Sequence, residues 1–126
     1  MIMDGDFRQL LAFRKSYKLA MEIFEISKKF PKEETYSLTD QIRRSSRSVS
    51  VNITEAYRKR RYVKHFISKL TDSDAENSET QVWIAFAVSC KYIDKKAFDE
   101  LTEKSLEVGK LIGYMINNPG KFGADK

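Results

Sequence analysis

The sequence predicts an all-α protein with the antiparallel up-and-down topology of a four-helix bundle, and three observations support this fold class. Only five Gly and two Pro occur among 126 residues, of which 41% are hydrophobic and 33% charged, a composition that favours helices over disorder. Breaks in the apolar periodicity divide the chain into four segments. The connections between them are short, which places successive helices antiparallel. The length fits a single domain spanning residues 1–126.

The first helix is predicted at about residues 8–30, where Pro31 stops it. Its apolar side chains form two stripes, which together cover more than half of its circumference: Leu10, Phe13, Tyr17, Ala20, Met21 and Phe24 in one, and Ala12, Leu19, Ile23, Ile26 and Phe30 in the other. The seam of a single bundle buries a smaller part of a helix's circumference. We expect the surplus to be covered by a second subunit, and the alternative is a helix wedged between two neighbours of its own bundle.

The second helix is predicted at about residues 38–60, with Ser37 as its N-cap. Beside its apolar stripe runs a polar row at three- and four-residue spacing: Gln41, Arg44, Ser48, Asn52 and Glu55. The third segment has its own polar positions, Ser73, Glu76, Asn77 and Thr80. If the rows face each other, Arg44 can pair with Glu76 or Glu55 in a network that fixes helix register or subunit arrangement. The alternatives are a polar pocket and two solvated rows.

The third and fourth helices are predicted at about residues 62–92 and 95–117. Asp94 is the expected N-cap of the fourth helix, and the run Asn117, Asn118, Pro119, Gly120 ends it. Its seam is regular, with residues alternately three and four apart: Phe98, Leu101, Ser105, Val108, Ile112 and Met115. We expect the tail, residues 121–126, to be frayed.

Basic residues are concentrated in the middle of the chain. Between Gln41 and Lys69 there are nine Lys or Arg against one acid, Glu55. Such density suits a phosphate backbone, so the predicted nucleic-acid-binding residues are Arg43, Arg44, Arg47, Arg58, Lys59, Arg60, Arg61 and Lys64. Tyr57 and Tyr62 flank the densest part and could stack on unpaired bases. A solvated helix end whose cations favour the helix dipole, or an acidic protein partner, would explain the same pattern.

Several classes of function are not expected. Cys90 is the only cysteine; it should be a buried free thiol, and it allows neither a disulfide framework nor a multi-cysteine metal site. The sequence predicts no metal, cofactor or catalytic constellation. No apolar run is long enough to span a membrane, and Met1–Arg8 lacks the apolar stretch of a signal peptide. A cytoplasmic location is therefore expected.

One weak enzymatic pattern is present. Arg60 and His65 have the Arg-x4-His spacing of HEPN-type helical ribonucleases, in which arginine would stabilise the phosphorane and histidine would move protons. This spacing arises easily by chance in an arginine-rich segment, so the ribonuclease remains a remote alternative.

The central residues carry a resemblance to a known family. Gln41-Ile-Arg-Arg44, Ser48 and Asn52-Ile-Thr-Glu55, preceded by Phe30-Pro31 and Tyr36-Ser-Leu38, resemble the 23S rRNA intervening-sequence proteins. Phe66, Ser73, Glu76 and Tyr92-Ile93 extend the likeness over roughly residues 10–114. The chain departs from the family pattern at Ser45, Ala56 and Asn77, where Ala, Gly and Leu respectively are usual.

This resemblance implies a bacterial four-helix bundle that assembles into a homopentameric ring and has no established enzymatic activity. The similar accessory variability determinants of diversity-generating retroelements imply a link to nucleic acid. Together with the basic residues, the resemblance leads us to expect a non-enzymatic homo-oligomer that binds RNA or another nucleic acid. The alternative is a protein-interaction scaffold or accessory subunit.

Overall fold

The computed structural model describes residues 6–125 and confirms the predicted fold class. Four helices, α1 (Leu11–Ser27), α2 (Leu38–Arg58), α3 (Val63–Ser89) and α4 (Lys95–Asn117), are accompanied by short 3-10 turns at Phe7–Gln9, Lys32–Glu34 and Pro119–Phe122. No strand is present in this part of the chain. Around the bundle α1 packs against α2, α2 against α3, α3 against α4, and α4 against α1.

The core lies between the four helices and is built from branched aliphatic and aromatic side chains. Its largest fully buried members include Ile23 on α1, Ile42 and Ile53 on α2, Phe66 and Ile84 on α3, and Ile112 on α4. Because each helix contributes residues at three- and four-residue spacing, one apolar face of each points to the common centre. Removing these faces from water is the main driving force for the bundle.

Helix ends follow from local chemistry, and one of the two predicted caps is replaced by another residue. The Asp94 carboxylate accepts a hydrogen bond from the Ala97 amide at 2.8 Å, as predicted for the cap of α4. Ser37 is at the expected position but does not cap α2, because its hydroxyl donates to Glu34 Oε1 at 2.6 Å. The same Glu34 oxygen accepts from the Leu38 amide at 3.3 Å. Glu34 therefore caps α2 in place of Ser37.

The C-terminal tail is packed on the bundle, contrary to the prediction that it frays from Lys121. The Phe122 ring stacks on buried Phe66 with centroids 6.4 Å apart, and it meets Tyr114 edge-on at 6.1 Å. Ala124 is fully buried. The burial of these apolar groups holds the segment in place as far as Asp125. Lys126, the last residue of the predicted tail, lies outside the described residues.

Two further observations bear on the predictions of location. No helix between residues 6 and 125 is long and apolar enough to cross a membrane. The expected lack of a signal peptide concerns Met1–Arg8, of which residues 1–5 are not described by the structure.

Candidate nucleic-acid interface

The end of the bundle formed by the turn from α2 to α3 carries the densest positive charge. Four side chains, Arg58, Lys59, Arg61 and Lys64, are exposed there. Within residues 6–125 no carboxylate lies within ion-pairing distance of any of them. Arg58 and Lys59 also lie at the carboxyl end of α2, where the helix dipole favours cations. We call these four residues the basic end.

Arg60, in the middle of this run, has a structural role. Its guanidinium carbon lies 3.9 Å from the centre of the Tyr57 ring, and its Nη1 donates to the Tyr57 carbonyl at 2.8 Å. Tyr57 is only 7% exposed. The prediction that Tyr57 stacks on bases is therefore wrong, because its ring is in the core and one face is covered by Arg60.

Tyr62 is placed differently and presents its ring to solvent. Its backbone is extended at the N-cap of α3, and the ring is 56% exposed. Its neighbours are the His65 ring, with centroids 5.6 Å apart, and the Arg61 guanidinium, 5.8 Å from the ring centre. An exposed aromatic ring beside an unpaired cation, in a cation-rich turn, is the arrangement that proteins use to hold single-stranded nucleic acid.

The predicted basic residues on the first half of α2 do not belong to the basic end. Arg43 and Arg47 lie over the Phe24 ring of α1, at 4.8 and 5.6 Å from its centre, and Arg43 Nε donates to Ser27 Oγ at 2.8 Å. At a rise of about 1.5 Å per residue they lie roughly 16–22 Å along α2 from Arg58. The eight predicted cations therefore do not form one surface.

Arg44 is separated from the others because two carboxylates of α3 neutralise it. Its Nη1 donates to Glu76 Oε2 at 2.9 Å, and its Nη2 is hydrogen-bonded to Glu79. Gln41 Oε1 accepts from its Nε at 3.2 Å. Partial burial works against the charged form, but Glu76 and Glu79 outweigh it and raise the pKa of Arg44. This side chain joins α2 to α3.

The rest of the predicted polar network is only partly assembled. Glu55, the other candidate partner of Arg44, lies 3.7 Å from Lys69 instead. The amide of Asn52 donates to the Ser48 carbonyl one turn earlier, at 2.9 Å. Ser73 does cross to α2, where it donates to the Val49 carbonyl at 2.8 Å. Glu79, which the prediction left out, could have been found, because it lies one helical turn after Glu76 on the same face.

Buried polar side chains also form hydrogen bonds between helices that the sequence analysis did not predict. Asn77 of α3 donates from Nδ2 to the Ser105 carbonyl of α4 at 2.9 Å, and its Oδ1 accepts from Ser105 Oγ at 3.0 Å. Thr80 Oγ1 donates to Ser45 Oγ at 2.9 Å. Ser45 and Ser105 occupy positions of the apolar seams, so their spacing alone could not identify them as hydrogen-bonding partners.

The residues of the ribonuclease pattern have different partners. Arg60 is engaged by Tyr57, whereas His65 lies exposed against Tyr62. A catalytic pair would need both groups directed at one phosphate, so Arg60 would have to leave its place on Tyr57.

The side chains that could bind a metal ion are not clustered in the described chain. Between residues 6 and 125 no cluster of His, Cys, Asp and Glu side chains could hold a metal ion. Cys90 is exposed, so the prediction of a buried thiol is wrong. It lies at the carboxyl end of α3, in a small cleft beside Trp83 and Phe86.

Among the exposed apolar side chains, two pairs spaced one helical turn apart lie on α1 and α3. Tyr17 and Met21 lie on α1, on the first of the two stripes that together were predicted to exceed the needs of one bundle. Leu10 and Ala20 of that stripe are buried, and Phe13 and Phe24 are half-buried. Val82 and Phe86 form a second exposed pair on α3. These side chains are available for contacts with another protein molecule.

Comparison with known proteins identifies the family. A sequence profile of the family described as 23S rRNA-intervening sequence protein matches residues 8–114. The chain belongs to this family. The resemblance inferred from the sequence is thereby confirmed. The motif around Gln41–Glu55 lies wholly on α2 in this family member.

A solved relative shares the fold. It is a protein of unknown function from the S23 ribosomal protein family of Bacteroides thetaiotaomicron, whose crystal structure superposes on this chain with a TM-score of 0.77. The two sequences are 28% identical, and the match covers 85% of this chain and 96% of that chain. No curated protein sequence matches the chain. Neither the family description nor this relative indicates a class of enzyme.

Proposed function

We propose that this member of the 23S rRNA-intervening sequence family is a non-enzymatic, cytoplasmic homo-oligomer that binds RNA or another nucleic acid. The observation that carries the proposal is the basic end, where four exposed cations have no acidic partner in the described chain and an exposed tyrosine, Tyr62, lies beside one of them, Arg61. Elsewhere on α2, Arg44 is neutralised. The connection of the family with 23S rRNA, given in its description, favours RNA among the possible polyanions.

Phosphate binding at the basic end predicts a defined response to salt. A single strand whose phosphates engage about four cations loses affinity with a slope near −3 in a plot of log K against log salt concentration. We expect simultaneous substitution of Arg58, Lys59, Arg61 and Lys64 by Gln to abolish most of the RNA affinity. Fluorescence anisotropy with a labelled RNA oligonucleotide at several salt concentrations measures both effects.

A charge-matched variant controls this experiment. Lys18, Lys29, Lys32 and Lys96 are exposed and lie away from the basic end, and substituting all four by Gln changes the net charge equally. We expect this control to retain most of the affinity. Equal losses in the two variants would mean that total charge, not the basic end, governs binding. No RNA affinity at low salt would contradict the proposal and favour a protein-binding scaffold.

Self-assembly is the second part of the proposal, and the exposed apolar groups on α1 and α3 support it. They lie on different helices, so a contact between the α1 group of one copy and the α3 group of the next would be heterologous, the kind of contact that closes into rings. The family resemblance favours five subunits. Light scattering should then give a mass near five times 14.7 kDa. Met21→Glu should lower this mass, and Leu106→Glu, at an exposed site on α4, should not.

A further inference from the structure

Tyr62 is the exposed tyrosine at the basic end, and its backbone is held there by the start of α3. The carbonyl of Tyr62 accepts the first hydrogen bond of α3, from the Phe66 amide at 3.0 Å. Phe66 is itself fully buried beneath Phe122. The backbone of Tyr62 is therefore anchored to the core, while the ring is directed outward beside His65. Because the backbone is already held, stacking a ligand on the ring costs little further backbone conformational entropy.

The surroundings of Tyr62 restrict the ligand that could stack there. Arg61 and Lys64 flank it in sequence, and Arg58 and Lys59 precede it across the turn between α2 and α3. A base on the ring would thus have the Arg61 guanidinium beside it, and the other cations of the same turn close by in the chain, for the phosphates of its own strand. In a duplex each base is already stacked and paired, so only an unpaired base can take this place without the cost of opening a helix.

We propose that the basic end selects unpaired over base-paired nucleic acid, with the Tyr62 ring as the platform on which a base stacks. This proposal rests on the nucleic-acid binding proposed above and adds the class of ligand. The four cations attract the phosphates of either form, and Tyr62 supplies the discrimination. The recognised chemistry is an unpaired base within a polyanionic strand, which both RNA and single-stranded DNA provide.

A conservative and a disruptive substitution of Tyr62 test this role. Binding is measured by anisotropy at one low salt concentration with labelled oligoadenylate, oligodeoxyadenylate and an RNA duplex of the same length. Tyr62→Ala should weaken binding of both single strands by at least about fivefold, the lower bound for loss of one base stack. It should change duplex binding by less than about twofold. Tyr62→Phe keeps the ring and should bind single strands within about twofold of the unmodified protein.

Tyr36 provides the matched control. It is 93% exposed and lies just before α2, about 30 Å along that helix from the basic end. Tyr36→Ala should leave binding of all three probes unchanged.

The outcomes separate this proposal from the one on which it rests. If single strands and duplex bind equally, and Tyr62→Ala weakens neither while the Gln variant of the basic end weakens both, nucleic-acid binding stands and the selection of unpaired bases is wrong. If no probe binds, both proposals are wrong. If only oligoadenylate responds to Tyr62→Ala, the platform is confirmed and the ligand is RNA.

Discussion

Glu34 and Tyr92 show how single residues close the end of the bundle opposite to the basic end. Tyr92 donates its hydroxyl to Glu34 Oε2 at 2.8 Å, and its ring lies 5.6 Å from that of Phe30. Ser37, Tyr92 and the Leu38 amide all donate to the Glu34 carboxylate and lower its pKa. The hydrogen bond to Glu34, with partial burial, raises the pKa of Tyr92 to about 12. The pair therefore favours ionised Glu34 and neutral Tyr92.

This pair predicts a pH window for stability. Because the pKa of Glu34 is lowered in the folded protein, Glu34 adds stability at pH values above its ordinary pKa of 4.5. This stability is lost as the pH falls through the pKa of Glu34 in the folded state. The raised pKa of Tyr92 adds stability below its ordinary value of 10.0, and this is lost as the pH rises toward 12. The melting-temperature difference between the unmodified protein and Tyr92→Phe should be largest between pH 5 and 9 and shrink at pH 3 and pH 11. A difference that does not change with pH would contradict this assignment.

Lys91 shows why the end of α3 could not be predicted from pattern alone. It adopts a left-handed conformation with φ 64°, a position that usually takes glycine. The Tyr92 amide then donates to the Ala87 carbonyl at 2.9 Å, and the Lys91 amide to the Val88 carbonyl at 3.0 Å. These bonds end α3 at Ser89, three residues before the predicted end. A lysine gives no sequence signal for such a turn.

At the scale of the helix, α4 offers a comparison between two glycines one turn apart. A Cβ added at Gly113 would meet no atom within 4 Å, whereas one added at Gly109 would lie 3.3 Å from Asn77 Nδ2. That amide cannot move away freely, because it is buried and bonded to the Ser105 carbonyl. Gly109 therefore provides room for the polar contact between α3 and α4.

The two glycines should respond differently to alanine. Gly113→Ala should raise the free energy of unfolding by about 0.5–1 kcal/mol, since alanine is the better helix former. Gly109→Ala has the same intrinsic gain but displaces Asn77, so we expect no stabilisation. Urea unfolding followed by circular dichroism measures both. Equal stabilisation by the two substitutions would mean that Asn77 yields without losing its hydrogen bonds.

The helices were predictable to a greater extent than the contacts between them. Apolar spacing and the breakers Pro31 and Pro119 located all four helices within a few residues of their ends, because both signals are local. The pairing of Arg44 with Glu76 followed from two polar rows. The separation of Arg43 and Arg47 from the basic end could not be predicted in this way, since it depends on Phe24 of another helix. Charge density along a sequence does not reveal which side of a helix each cation occupies.

At the scale of the whole molecule, small buried polar side chains connect successive helices. Ser16 and Ser50 join α1 to α2 with their hydroxyl oxygens 2.8 Å apart. Thr80 and Ser45 join α3 to α2, and Asn77 and Ser105 join α3 to α4. Buried polar groups are costly when they lack partners. A shift of one helix along its neighbour would break such pairs, so this layer of polar side chains favours a single register over other packings of the apolar faces.

A double-mutant cycle between Asn77 and Ser105 tests whether this layer acts as a coupled unit. Asn77→Ala should lower the free energy of unfolding by about 2 kcal/mol, because it leaves a cavity and removes the acceptor of Ser105 Oγ. Ser105→Ala alone should cost about 1 kcal/mol. Since the two residues exchange hydrogen bonds, the double variant should cost less than the sum by about 0.5–1.5 kcal/mol. Ser105→Ala combined with Tyr36→Ala, at a distant exposed site, should be additive. Additivity for both pairs would mean that the layer consists of independent contacts and does not fix the register cooperatively.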